Sequence, residues 1–144
     1  MRHLNKKKKL GVNAAHRKAL LRNLFTSLLA SGKIKTTASK GKELVRTGNI
    51  LIERAKKGGL VSQRKVASHI TNKKVSITFF KETLPKLASR TGGHIRLLKI
   101  GTRKGDGAKV VMVELITEEG TQKTPAYQTA GGDNREQKIE KSVT

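Results

Sequence analysis

The chain has 144 residues and a formal net charge of +22, from 32 lysines and arginines against 10 aspartates and glutamates. A chain of this length can form one domain with a core, but so large a charge calls for an anionic partner, because like charges repel one another in a compact state. Cysteine is absent, which excludes disulfides, thiolate zinc sites and cysteine nucleophiles, and no apolar run approaches the roughly 18 residues that span a membrane.

Residues 1–12 predict a basic arm. The opening stretch MRHLNKKKKLG contains an arginine, a histidine and four lysines, and no carboxylate neutralises any of them. Such a segment is expected to bind phosphates, which compensate its charge. A mitochondrial presequence is an alternative at this point, because residues 1–42 contain no acid and include a basic amphipathic helix.

A first amphipathic helix is predicted after this arm. Asn13 is a favourable N-cap, and Ser31-Gly32 is a stop signal. The apolar positions between them recur at helical spacing. They are Leu20, Leu21, Leu24, Phe25, Leu28 and Leu29. The opposite face is basic and solvated, and it carries Arg17, Lys18 and Arg22.

A short strand and further helices follow. The β-branched segment KIKTT predicts a small strand, and Ser39 is expected to cap a second helix that runs to Gly58-Gly59. Gly48 interrupts the apolar face of that helix. Helices are also predicted at 62–70 and 73–90, with Pro85 as a kink or break.

The last part of the chain predicts a hairpin and a tail. The runs HIRLLKI and KVVMVELI are rich in branched aliphatic residues, and the glycine-rich GTRKGDG joins them, so a β-hairpin is expected. Both runs are apolar on both faces, which indicates that the hairpin lies under helices. From about residue 118 the apolar content falls and no periodicity remains, which is typical of a polar tail.

Catalysis has little support in the sequence. Glu43, Glu53 and Glu82 are predicted on helices, where such carboxylates are usually solvated or salt-bridged. The four histidines lack metal-ligand spacing. The glycines of GTRKGDG precede a strand, whereas a phosphate-binding loop requires a following helix. No catalytic residue, metal site, cofactor or small-molecule substrate is therefore predicted.

The few aromatic side chains indicate which kind of nucleic acid is bound. They are Phe25, Phe79, Phe80 and Tyr127. Because Phe25 and one ring of the Phe79-Phe80 pair are expected in the core, no stacking platform for single-stranded bases remains. Structured RNA, bound through phosphates and 2′-hydroxyls, is therefore favoured. Duplex DNA stays open as an alternative, because the first helix offers side chains that can contact bases. These are Asn13, His16, Arg17 and Asn23.

Four spaced motifs occur in order between residue 1 and about residue 117. They are MRH at the start, N..HR.A..RN from Asn13, IKTT..K.KEL.R from Ile34, and SR.GG..R..K...R.GD from Ser89. In this combination the chain resembles the bacterial large-subunit ribosomal protein family numbered seventeen. Two positions depart from that family's usual pattern, because His94 stands in place of tyrosine and Gly41 in place of alanine.

This resemblance implies an α+β fold in which several helices pack on a small sheet containing a β-hairpin, with a basic N-terminal arm and an irregular C-terminal tail. It also implies a structural constituent of the 50S subunit, ribosome-bound in the cytoplasm, that binds 23S ribosomal RNA. Neighbouring large-subunit proteins near the polypeptide exit region are the implied protein partners. Enzymatic activity, cofactors and membrane contact are not expected.

Three segments are expected from these observations: the RNA-binding arm at 1–12, the α+β domain at 13–117 and the polar tail at 118–144. The candidate RNA-binding residues are the basic and small polar side chains of the arm, the first two helices, the short strand and the hairpin. They are Arg2, His3, Lys6, Lys7, Lys8, Lys9, Asn13, His16, Arg17, Arg22, Lys35, Thr36, Thr37, Lys40, Arg46, Arg90, Arg96, Lys99, Arg103 and Lys104.

Overall fold

The computed structural model of the chain describes residues 8–117, which form helices packed on a small antiparallel sheet. In chain order the elements are α1 (Ala14–Ser31), β1 (Lys33–Thr37), α2 (Ala38–Lys56), α3 (Leu60–Ala67), α4 (Lys73–Thr78), β2 (Ile95–Thr102) and β3 (Lys109–Leu115). After α4 the chain makes a wide π-helical turn at Phe79–Thr83 and one more helical turn at Leu84–Lys86. The α+β class predicted from the sequence is confirmed.

Both predicted ends of α1 are confirmed. The side chain of Asn13 accepts a hydrogen bond from the backbone N–H of His16 at 2.8 Å, which satisfies one of the unpaired donors of the first helical turn. At the other end Gly32 has φ of 71° and donates its N–H to the carbonyl of Leu28. A left-handed residue that returns a hydrogen bond to the last turn is the usual helix stop.

The predicted cap of α2 is wrong. Thr37, and not Ser39, occupies the N-cap position, and its side chain makes no capping hydrogen bond. Thr37 is also the last residue of β1, where it pairs with Val110 of β3. Because the strand continues directly into the helix, there is no turn in which the hydroxyl of Ser39 can face the first N–H groups.

The predicted helix at 73–90 is broken before Pro85. In the wide turn the N–H of Leu84 donates to the carbonyl of Phe79, five residues earlier. A proline ring clashes with the carbonyl four residues before it in a regular helix, and the wider turn accommodates the ring. The kink or break predicted at Pro85 is therefore found as a π-helical interruption, after which α-helical structure resumes for one turn.

The sheet has the order β1-β3-β2, with both strand pairs antiparallel. The predicted hairpin is confirmed as β2 and β3, with a register shift between Lys99 and Gly101. β3 is the central strand, so its apolar residues face neighbours from both other strands: Val113 lies opposite Leu97 of β2 and Ile34 of β1.

The core forms where α1 and α2 meet the sheet. Phe25 of α1 is 1% exposed and contacts Phe79 edge-on, with ring centroids 6.5 Å apart. The other fully buried side chains from the two long helices and the sheet are Leu28, Leu44, Ile52, Val111 and Val113. Among the helices of residues 8–117, none has the length and apolar character of a bilayer-spanning segment.

The loop before β2 buries a histidine whose hydrogen-bonding groups are unsatisfied. His94 is fully buried, and within the described residues neither ring nitrogen has a hydrogen-bond partner. Its burial lowers its pKa, as do the charges of Lys56 and Arg90, while Glu53 opposes them. The protonated ring is therefore disfavoured in the folded protein.

We expect the protein to lose stability as the pH falls below about 6.5, the ordinary value for histidine. Under these conditions the unfolded chain binds a proton on this histidine that the folded state does not bind. The free energy of unfolding then decreases by at most about 1.4 kcal/mol per pH unit for one group. Denaturant unfolding between about pH 5 and pH 8 measures this loss. His94→Leu removes the group and should flatten the profile; an equal acid loss in both proteins would assign the effect to another residue.

Candidate nucleic-acid interface

A basic groove of about 380 Å³ lies between α1 and α2, beside the root of the predicted arm. Its apolar lining includes Leu21, Ile50 and Leu51. The rest is mostly cationic. The cations are Lys8 from the arm, Arg17 and Lys18 from α1, and Arg46 and Arg54 from α2. Such a surface favours an anionic chain, because lysine and arginine heads project into water from the apolar base.

One carboxylate lines the groove. Glu43 is 8% exposed, and its Oε1 lies 3.9 Å from Nε of Arg46. Five cationic side chains therefore surround one carboxylate, a formal net charge of +4 on the lining. A mostly buried acid that is paired with one arginine leaves the groove strongly positive at its mouth.

Arg17 holds the described root of the predicted arm, residues 8–12, against α1. Its Nη1 donates to the carbonyls of Lys9 and Val12, both at 3.3 Å. Between them the chain turns sharply, with φ of 58° at Leu10 and 70° at Gly11. The turn is closed by the N–H of Val12, which donates to Lys9. As a result Lys8 lies at the groove.

A smaller cavity of about 100 Å³ adjoins the groove and shares Lys18, Leu21, Thr47, Leu51 and His69 with its lining. Arg22 and Phe25 complete the cavity wall. Nε of Arg22 is buried and has no hydrogen-bond partner within the described residues. A buried guanidinium donor without a partner is costly, and an anion that reaches the cavity would satisfy it.

The hairpin carries cations that are already paired. Arg96 of β2 forms an ion pair with Glu114 of β3. In the hairpin loop Nε of Arg103 donates to Asp106 at 3.0 Å, and Asp106 also accepts from the N–H of Ala108. The Arg103 hydrogen bonds, followed by that of Ala108, lower the pKa of Asp106 to about 2. These contacts order the loop and neutralise part of its charge, whereas Lys104 is exposed at the tip.

The family model described as Ribosomal protein L17 matches residues 20–116 of the chain. The chain belongs to the ribosomal protein L17 family. Large ribosomal subunit protein bL17 of Clostridium novyi is 45% identical over 109 residues, which cover 76% of this chain and 96% of the relative. The protein of the same name from Clostridioides difficile is 43% identical over 111 residues, or 77% and 98% of the two chains.

Membership of the L17 family confirms the resemblance seen in the four sequence motifs. The protein is a structural component of the ribosome and not an enzyme, and it is ribosome-bound in the bacterial cytoplasm. The family match ends at residue 116, one residue before the described structure ends.

Eight of the twenty predicted RNA-binding residues of this L17 chain lie on two surfaces. The groove and its cavity bring together Lys8, Arg17, Arg22 and Arg46. The hairpin holds Arg96, Lys99, Arg103 and Lys104. The others are distributed over the arm root, the start of α1, β1, the first turn of α2 and the loop before β2. They are Lys9, Asn13, His16, Lys35, Thr36, Thr37, Lys40 and Arg90. Arg2, His3, Lys6 and Lys7 lie outside the described residues.

The side chains that suggested a DNA-reading helix mostly have partners inside the protein. Asn13 caps α1, Arg17 holds the arm root, and Asn23 accepts a hydrogen bond from the hydroxyl of Thr71 at 3.2 Å. Only His16 of that set is exposed without such a contact among the described residues. A recognition helix needs side chains available to base edges, so α1 of the L17 domain is poorly suited to that role.

Two groove cations and two other hydrogen-bonding groove residues are absent from the sequence-based set: Lys18, Arg54, Thr47 and His69. Arg54 lies eight residues after Arg46 on α2, a spacing that returns to the same helix face, so helical periodicity could have identified it. Lys18 was assigned to the solvated face of α1 without a binding role. His69 follows α3 and reaches the groove only through tertiary packing, which no local sequence signal indicates.

Proposed function

We propose that this ribosomal protein, a constituent of the bacterial large subunit, binds and stabilises folded 23S ribosomal RNA through phosphate and 2′-hydroxyl contacts. The observation that carries the proposal is the groove between α1 and α2, where five cationic side chains surround one paired carboxylate at the root of a basic arm. The relatives are named as proteins of the large ribosomal subunit, which makes ribosomal RNA the natural source of the phosphates.

Phosphate contacts supply affinity because bound cations displace the counterions that surround the nucleic acid. In the groove, lysine and arginine donate hydrogen bonds to phosphate oxygens, and arginine does so with two parallel donors. The arm at 1–12 extends the same chemistry into crevices of the folded RNA, while the domain at 13–117 holds the groove and the hairpin. The tail at 118–144, for which we propose no phosphate contacts, lies outside the described residues.

The aromatic residues support a structured RNA as the partner. Phe25 and Phe79 are each 1% exposed, and Phe80 is half-buried against the same core. Within the described residues only the ring of Phe80 is partly exposed, and a single half-buried ring does not form a platform on which successive single-stranded bases stack. Lys99 and Lys104 of the hairpin are proposed as a second group of RNA contacts, and neighbouring proteins near the exit region as the protein partners.

Two measurements test this function. The protein should remain with large subunits through a high-salt sucrose gradient, because the fit to a folded RNA surface and to neighbouring proteins adds contacts that salt does not weaken, whereas binding through phosphates alone would be lost. In solution, bound 23S ribosomal RNA should resist competition by duplex DNA of equal length at fixed salt. Release from the subunit together with preferential transfer to the DNA would contradict the proposal and favour a DNA-binding protein.

A further inference from the structure

Beside its lysines and arginines the groove contains two other side chains that can form hydrogen bonds, Thr47 and His69, and both also line the adjoining cavity. Lysine and arginine only donate hydrogen bonds. They recognise the phosphates that DNA and RNA share. A neutral group that accepts a hydrogen bond adds a different kind of recognition, because the sugar of RNA carries a hydroxyl donor that DNA lacks.

The tautomer of His69 is set by its contacts. Nδ1 lies 2.8 Å from the carbonyl oxygen of Lys65. A carbonyl oxygen only accepts, so Nδ1 carries the proton, and in the neutral ring Nε2 is an acceptor. The hydroxyl of Ser68 is 3.3 Å from the same Nδ1 and itself donates to Lys65, which leaves this assignment unchanged. Within residues 8–117 Nε2 has no hydrogen-bond partner.

The backbone on both sides of His69 is held to the rest of the domain. Its own N–H donates to Val66 at 2.9 Å, and the next residue, Ile70, is buried in the core. The N–H of Thr71 donates to Oγ1 of Thr26 on α1 at 3.0 Å, and the hydroxyl of Thr71 donates to Asn23. A side chain held in this way keeps its acceptor atom in a fixed position, which lowers the entropic cost of forming a hydrogen bond with a ligand.

We infer that Nε2 of His69 accepts a hydrogen bond from a ribose 2′-hydroxyl of the RNA strand whose phosphates contact Lys18, Arg54 and the other groove cations. His69 is then the residue that makes the groove selective for RNA. The inference rests on the proposed function and adds to it the element that distinguishes the two kinds of nucleic acid.

Two substitutions of His69 distinguish loss of the hydrogen-bond acceptor at Nε2 from loss of the contact between Nδ1 and Lys65. In His69→Asn the side-chain amide takes the place of Nδ1, so the contact with Lys65 is kept and the acceptor at Nε2 is lost. In His69→Gln the longer side chain places its amide near Nε2, so an acceptor is kept there. Neither change alters the number of groove lysines and arginines, so both variants should retain the salt dependence of RNA binding.

The probes are a mixed-sequence RNA hairpin and the same hairpin with 2′-fluoro groups in place of the 2′-hydroxyls. Fluorine keeps the A-form sugar and every phosphate but cannot donate a hydrogen bond. At pH 8 and fixed salt, the wild-type protein should bind the unmodified hairpin about three- to tenfold more tightly, the equivalent of one net hydrogen bond. The ratio should fall in His69→Asn by about the factor that one hydrogen bond contributes, and it should stay close to the wild-type value in His69→Gln.

A wild-type ratio of one, or a ratio in His69→Asn equal to that of wild type, would overturn the role of His69. If the steep salt dependence persisted in that case, the phosphate contacts of the proposed function would stand. Failure of both hairpins to bind at low salt would instead overturn the proposed function itself. Melting temperatures of the two variants establish that an altered ratio does not come from unfolding.

Discussion

Gly48→Val is expected to destabilise the domain by about 3 kcal/mol or more, as overpacking of a close-packed interior does. Gly48 is buried in α2, where a Cβ atom would lie 2.3 Å from Cδ1 of Ile95 and 3.5 Å from Cε2 of Phe25. Valine adds two further methyl groups to this contact. Thermal unfolding should show a melting temperature lower by about 10 °C or more for a domain of this size.

The control for this variant lies on the same helix. Lys42→Val places the same side chain at an exposed position of α2, and only the lower helix propensity of valine, below about 1 kcal/mol, should be lost. A pair of smaller substitutions tests the contact between Gly48 and Ile95 directly. Gly48→Ala clashes with Cδ1 of Ile95, the atom that Ile95→Val removes, so the double variant should be more stable than the sum of the two single changes predicts. Equal melting temperatures for Gly48→Val and Lys42→Val would contradict the close approach of helix and sheet.

Gly48 also illustrates what the sequence can and cannot predict about the fold. The ends of α1 were predictable because Asn13 and Gly32 act through local hydrogen bonds. The same local reasoning failed at Ser39, because pairing of β1 with β3 extends to Thr37 and decides where α2 begins. A glycine in an apolar helix face is a local anomaly, and its reason lies in the sheet that packs against it.

Prediction of the candidate site from the sequence has the same limit, because the sequence does not show which charged side chains pair with each other in the fold. Charge alone selected Arg96 and Arg103 as RNA contacts, but sequence composition does not indicate that Glu114 and Asp106 pair with them. Arg17 was selected for its charge, yet its hydrogen bonds hold the arm root. Net charge therefore predicted the class of partner, whereas the assignment of each cation to RNA or to the protein depends on tertiary contacts.

Affinity for 23S ribosomal RNA is expected to fall on the order of a thousandfold or more between 50 and 200 mM salt if about six phosphates are engaged. The five groove cations, of which Lys8 belongs to the arm, and Arg22 supply that number before residues 2–7 of the arm are counted. Filter binding or fluorescence anisotropy over this salt range gives the slope of log affinity against log salt. A slope near zero would contradict the electrostatic basis of the proposed function.

Charge-matched variants locate the contacts. Lys18→Gln with Arg54→Gln removes two groove cations, and the slope should decrease by about 1.5 to 2 with a roughly tenfold or greater loss of affinity at low salt. Lys73→Gln with Lys81→Gln removes two exposed lysines that line neither groove nor cavity. Both pairs lower the net charge equally, so equal effects would show that overall charge, and not the groove, determines binding.

The two ends of the chain should behave in opposite ways. Residues 2–7 contain three fixed positive charges and no acid, and their deletion spares Lys9, whose carbonyl holds Arg17. This deletion should leave the melting temperature unchanged while it weakens RNA binding and decreases the slope by about two to three. Residues 118–144 contain four basic and five acidic side chains and few apolar ones, so their removal is expected to change RNA affinity and the free energy of unfolding by no more than a few tenths of a kcal/mol. Unfolding caused by the tail deletion would mean that Tyr127 or Ile139 packs on the domain, and unchanged binding after the arm deletion would mean that the opening cations do not contact RNA.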